Sequence, residues 1–358
     1  MATFNGQLRS NEIFTALYNM IISQQVFTDN IKGTHATLVD AARVDGSMYG
    51  DTKLYYATDV LKSAPWGNDA EATNLLALHR PSAPEVQAIH LDKFRQISLT
   101  VDNYLSKRAW GTEGAFSSFN SVMMGWIRDT KRVYDSTLYN SFIGTNASTV
   151  GRQNVELAVS DAVGNAEGIE AAKLEGMAIA QGLADLFVEM SDVSRDFNDY
   201  GNLRSYDMKD IKVIWNAKQA NKIKKVDLPT IFHKEGLIDK FEEYTLPARY
   251  FGVVVTEGGT TISATDKRSL IEADYNGVHV FPGDYLPSGA TYLANTTYTE
   301  DEDIICKIYT KLPPFMSAFE VGTSFFNPKS LTENHYLTWG YNTLEHLSNY
   351  PCITVHKD

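Results

Sequence analysis

Several groups of residues in this sequence carry donors of the kind that do chemistry. Glu300-Asp301-Glu302-Asp303 sets carboxylates in a row, the hard oxygen ligands that hold a cation such as Ca²⁺. The run lacks the glycine and the spaced ligands of a calcium loop, so it reads as a solvated acidic face. Glu345-His346 and His335 could form an acid/base pair. Sequence neighbours point in different directions, however, and nothing else converges on them, so they are expected at a surface or an interface. Glu257-Gly258-Gly259-Thr260-Thr261 could cradle an anion, although a turn between strands accounts for the same residues. Cys306 lies in an apolar run and is expected as a small buried side chain, not a nucleophile. There is no Walker-type glycine loop, GxGxxG, HExxH or GxSxG. No catalytic residue, metal ligand or cofactor is therefore assigned. A chain of this length without such a constellation points to binding or to a structural role.

Length and composition narrow the class further. The 358 residues suffice for about two domains and a sizeable core. Hydrophobic and charged contents of 43% and 21% are those of an ordinary globular protein. A net charge of −12 argues against a general nucleic-acid binder, which needs a basic face, but leaves room for a local patch. The two cysteines, Cys306 and Cys352, form neither a metal-type spacing nor a disulfide framework, which suits a reducing compartment. No secretory signal is expected. No stretch approaches the ~20 apolar residues that cross a bilayer.

The elements that would position any site follow from periodicity. Glu113 to Gly144 reads as one long amphipathic helix, with Phe116, Phe119, Trp126, Ile127, Leu138 and Phe142 on its apolar face. The opposite face carries Arg128, Asp129, Lys131, Arg132 and Asp135, spaced so that Lys131–Asp135 and Asp129–Arg132 can pair. Thr112 is a candidate N-cap and Gly144 the expected terminator. At ~1.5 Å per residue the helix spans about 45 Å. Before it comes a polar lead with a short helical patch, Asn11 to Gln25, and then a long β-excursion. In that excursion Ile89, Leu91, Ile97, Leu99 and Val101 share one parity, the mark of a strand with one buried face. Lys93 and Arg95 interrupt that face, and the interruption predicts a strand that leaves its own domain. The alternative is a snorkelling lysine and a paired arginine.

Beyond the long helix, Asn154 to Val159 reads as a strand and Glu167 to Asp192 as a second helix, with Ile169, Ile179, Leu183, Phe187 and Met190 on one face. Ile211 to Trp215 is a strand, with Asn216 capping a helix from Ala217 to Lys225 that Asp227-Leu228-Pro229 stops. Further strands are expected at Phe251 to Thr256, Val278 to Phe281 and Asp303 to Tyr309. The tail from Pro313 reads as irregular and aromatic-rich, closing in a strand from Cys352 to His356.

This order of elements, with the Ile211–Lys218 strand-then-helix unit, resembles the major capsid proteins of tailed double-stranded-DNA bacteriophages, the Hong Kong 97 fold. The resemblance implies an α+β architecture with an N-terminal arm (1–44), an extended E-loop (45–96) and a P domain (97–163) whose spine helix is 114–143. An A domain (164–312) and a return to the P domain (313–358) complete it. It implies self-assembly into hexamers and pentamers of an icosahedral head, with Tyr55, Tyr56 and Trp66 reaching a neighbouring subunit. The implied partners are further copies of the chain, scaffolding and portal proteins, and packaged double-stranded DNA held without sequence specificity, with no membrane. The implied location is the virion, assembled in the bacterial cytoplasm. No lysine–asparagine crosslink can be matched, and none is expected. Within the same fold an encapsulin-type bacterial compartment is the alternative. Outside it, the alternative is an α/β enzyme or ligand-binding protein.

Overall fold

The computed structural model describes residues 37–44, 46, 50–63, 78, 80–102, 113–148, 150–225, 242–256, 271–272, 279–280 and 296–358. The expected Asn11–Gln25 helix, Thr112, Trp66, Asp227-Leu228-Pro229 and the Glu257–Thr261 turn lie outside them.

Two five-stranded sheets organise the described residues. The first takes β1 (Arg43–Val44), which follows a short helix α1 (Thr37–Ala42), then β2 (Thr52–Ala57) and β3 (Glu85–Asp102). Its other strands come from the tail, β12 (Phe315–Asn327) and β13 (Thr332–Asn342), and the order is β1-β12-β13-β3-β2. Strand β3 is paired along its length. It pairs antiparallel with β13 from Asp102↔Thr332 to Leu91↔Asn342, and with β2 at its other end. The charges that suggested departure are accommodated in place. Lys93 reaches Asp92 at 3.7 Å, and the Arg95 guanidinium lies 4.0 Å from the centre of the Tyr134 ring. The tail is likewise not irregular. Leu337, Trp339 and Tyr341 alternate into the core, and towards its end β13 is buried on both faces, with Gly340 against Leu91 and Phe94 and Asn342 fully buried. At the β12–β13 turn Leu331 takes a φ of 53°, and Asn327 Oδ1 accepts the Lys329 N–H at 3.0 Å.

The long helix α2 (Glu113–Thr145) packs on this sheet through Ile127, Leu138, Tyr139 and Ile143. Tyr139 meets Phe315 edge-on at 5.9 Å, and its hydroxyl donates to the Pro313 carbonyl at 2.8 Å. Two expected faces are corrected. Trp126, placed on the apolar stripe, is 43% exposed. Asp135, placed on the polar face, is 3% exposed; it pairs with Lys131 at 3.4 Å and accepts the Trp339 Nε1–H at 3.1 Å. Asp129 and Arg132 form no ion pair among the described residues. Gly144 is inside the last turn, not beyond it, and a Cβ there would lie 1.9 Å from the Tyr250 carbonyl oxygen. Only glycine permits that approach of two backbones.

The second sheet, in the order β4-β14-β11-β5-β6, joins β4 (Asn154–Leu157), β5 (Lys212–Asn216), β6 (Glu242–Leu246), β11 (Ile304–Tyr309) and β14 (Cys352–Lys357). Between β6 and β11, β7 (Gly252–Thr256) pairs with β10 (Thr296–Glu300) and β8 (Ile271–Glu272) with β9 (His279–Val280). The second sheet draws strands from both sides of residues 164 and 313. Val159 starts a short helix, α3 (Val159–Val163), instead of extending β4, and the Asp358 carboxylate accepts the Val159 and Ser160 N–H groups. Helix α4 (Gly168–Ser191) covers the sheet with Ile179, Leu183, Phe187 and Met190. Ile169, expected on that face, is 77% exposed in the first turn. Helix α5 (Ala217–Lys225) starts as expected, with Asn216 Oδ1 accepting the Lys218 N–H at 3.1 Å.

Candidate functional site

The residues singled out for chemistry do not converge. His335 lies on β13, 4.0 Å from Glu333. His346 pairs not with Glu345 but with Asp199, at 2.5 Å. Asp199 also accepts from Ser148 Oγ and Gln153 Nε2, each at 2.8 Å. Burial raises this carboxyl, but the hydrogen bonds from His346, Ser148 and Gln153 outweigh it and hold the group below the usual range. The carboxylate stands between serine and histidine, so the imidazole does not touch the hydroxyl, and the cluster ties loops together in place of the Ser–His contact that activates a nucleophile. Cys306 is fully buried, and burial pushes its thiol far up, away from nucleophilic use. Asp301 and Asp303 face His356 and Lys357, and Glu302 faces Lys218. Among the described residues no cluster of three or more His, Cys, Asp or Glu could hold a metal ion, and no helix is long and apolar enough to cross a membrane.

What the fold does expose is apolar surface on the β2–β3 hairpin. Tyr56 pairs with Val86 and Leu54 with Ala88, which puts Leu54, Tyr56 and Val86 on one outer face. Tyr56 is 64% exposed, and Val60, Leu61 and Leu78 beyond the strand ends are exposed as well. Among the described residues β2 is also the sheet's edge, with unpaired backbone groups along it. An uncovered apolar strip beside an open strand edge is what a binding surface looks like. Tyr55, by contrast, faces its own chain. The Lys311 ammonium lies 5.0 Å from its ring centre, and burial, then the nearby Tyr350, raises its hydroxyl pKa.

The base of the hairpin is clamped. Asp59 accepts the Leu203 N–H at 3.0 Å and pairs with Arg195 at 2.7 Å, while Arg204 Nη2 donates to the Thr58 carbonyl. On the other strand, Gln87 donates to the His346 carbonyl at 2.8 Å and accepts the Ser348 N–H at 2.9 Å. A second exposed apolar group, Phe325, Phe326 and Leu331, marks the β12–β13 turn. Sequence reading missed both the clamp and this turn.

No family model matches the sequence, and comparison with curated proteins finds no match. Solved structures do match. A chain of the capsid structure of Staphylococcus phage Andhra aligns over 93% of this chain and 87% of its own length, with a TM-score of 0.61 and 9% identity. A chain from the structure of the head fiber and inner core protein gp22 of native bacteriophage P68 aligns over 88% of this chain and 83% of its own, with a TM-score of 0.58 and 9% identity. The fold is that of the Hong Kong 97-like capsid proteins. At 9% identity the likeness is one of backbone path.

Proposed function

We propose that this chain is a major capsid protein, a structural subunit that self-assembles through hexamers and pentamers into the icosahedral head of a bacteriophage and encloses double-stranded DNA. The observation that carries this reading is the Hong Kong 97-like fold, matched over 93% of the chain to a phage capsid structure. In this reading residues 1–44 are the N-terminal arm, 45–96 the E-loop, α2 the spine helix of a P domain (97–163 and 313–358), and 164–312 the A domain. The chemistry is association without turnover. Tyr56 and Trp66 belong to the E-loop surface that is buried against a neighbour, and Tyr55 anchors the hairpin from beneath. Many weak interfaces acting together then hold the shell. Scaffolding and portal proteins are the expected further partners, and the virion, built in the bacterial cytoplasm, the expected location.

Negative-stain electron microscopy of the chain, expressed alone and with its neighbouring genes, tests this. Closed shells or regular tubes support it. Small monodisperse particles under both conditions overturn it, and shells filled with protein cargo in place of DNA favour a compartment.

A further inference from the structure

A groove of about 190 Å³ runs between α1 and the polar face of α2. Arg128, Lys131, Arg132 and Asp135 line it from α2, and Asp40 and Arg43 face them from the α1–β1 segment. Four cationic side chains thus meet two carboxylates, a local excess of positive charge in a chain whose net charge is −12. Both acids are engaged within the groove. Arg43 reaches Asp40 at 3.4 Å and Lys131 reaches Asp135 at 3.4 Å, with Lys131 also 3.3 Å from Ser317 Oγ. Burial raises the Asp135 carboxyl against the pull of Lys131. Arg128 and Arg132 are exposed, and their guanidinium groups have no acid partner among the described residues. They stand four residues apart on one helix face, a rise of ~6 Å.

We infer that this groove binds phosphate groups and that its ligand is the backbone of double-stranded DNA, held by Arg128 and Arg132 with Arg43 opposite. The inference rests on the capsid reading and adds a binding site to it. A guanidinium is a planar fork that takes phosphate oxygens two at a time. Each DNA strand presents a charge every ~3.4 Å of rise, so two arginines on a rigid helix meet phosphates of one strand whatever the bases. Two such contacts per subunit are weak alone and are repelled by the acidic remainder of the chain. Repeated over a closed shell they accumulate, giving a wall that touches the genome without gripping it at any one place.

The test titrates a short fluorescein-labelled duplex with the purified full-length chain over a series of salt concentrations, followed by anisotropy. Losing two phosphate contacts in R128Q/R132Q should reduce the slope of log affinity against log salt by about 1.8. K173Q/K329Q removes the same charge from exposed positions elsewhere and should leave the slope unchanged. An unchanged slope in R128Q/R132Q, or an equal loss in both variants, overturns the inference. So does displacement of the duplex by inorganic phosphate at matched ionic strength, which would make the groove a small-anion site. Electron microscopy of the same preparations separates the two readings. Shells from R128Q/R132Q with reduced duplex affinity support the groove. Loss of shells with duplex affinity intact makes it a protein contact and overturns it. Arginine-dependent duplex binding by a wild-type chain that forms no shells leaves the groove standing and removes the capsid reading.

Discussion

Two glycines in one helix should respond to the same substitution with opposite sign. Gly125 has nothing within 4 Å of where a Cβ would sit, whereas at Gly144 the Cβ would fall 1.9 Å from the Tyr250 carbonyl oxygen and 2.5 Å from its carbon. Alanine is favoured over glycine inside a helix by ~1 kcal/mol, so G125A should stabilise by up to about that amount. In G144A the obstacle is backbone, which cannot rotate away, and real contacts of this kind stay above 3.0 Å. The helix and the Ala248–Tyr250 turn must therefore part by more than 1 Å. That opens the packing of Tyr250 and Phe251 against Ile143 in the core. Overpacking of this kind costs ~1–3 kcal/mol. With the helical gain deducted, G144A should be net destabilised by up to ~2 kcal/mol. Urea unfolding of the unassembled subunit, followed by tryptophan fluorescence, reads both variants. A G144A midpoint at or above wild type, or a G125A midpoint below it, would refute the packing argument.

Tyr56→Ser should raise the concentration needed for assembly by tenfold or more, the equivalent of a ~1.4 kcal/mol loss at an interface anchor, and Tyr55→Phe should not; light scattering against concentration measures both. Deleting the loop around Trp66 should leave a folded subunit that forms no shells, visible by circular dichroism together with electron microscopy. Asp59 is lowered to about 2 by its hydrogen bonds from Leu203, Arg195 and Val60. Because its folded pKa lies below the ordinary 3.8, the clamp is intact above that value and is released as pH falls toward 2. The protection factors of the Leu203 and Val60 amides, taken relative to intrinsic exchange at each pH, should fall across that window, and D59N should abolish the step. Burial lowers Lys307 to about 8 from 10.5. The unfolded chain then binds more protons than the folded one, so this group makes stability rise between pH 8 and 10, before tyrosine ionisation intervenes. K307M should flatten that rise in urea midpoints.

The long helix was legible because a 3.6-residue rhythm repeated over its 33 residues leaves few other ways to bury one face. The β5–α5 unit was legible because a short apolar run, an asparagine cap and a lysine-rich helix all agree locally. Asp135 was misread because what buries it, Trp339, is 204 residues away. β12 and β13 were missed because five of the 13 residues of β12 and five of the 11 of β13 are Thr, Asn, Ser or Glu, which read as loop until a partner strand is supplied. Of the surface residues, the alternation of Tyr55 and Tyr56 was visible, but which one turns inward depends on Lys311 and Tyr350, far along the chain. The phosphate groove lay in plain view as the polar face of α2, and only its opposite wall, Arg43 and Asp40, needed the structure.

The pairing of β3 with β13 has a consequence for synthesis. Thr100 and Asn334, bonded across that pair, lie 234 residues apart in sequence. At ~5–20 residues per second, roughly 10–50 s pass on the ribosome between making one strand and making its partner. Throughout that interval β3 has no strand to fill its inner edge, and β4 waits almost as long for β14. A nascent chain short of residue 332 therefore carries open edges in both sheets, and polysomes that crowd such chains together invite strand exchange between them. The speed of translation through the last third of the message becomes a control on the yield of correctly folded chain.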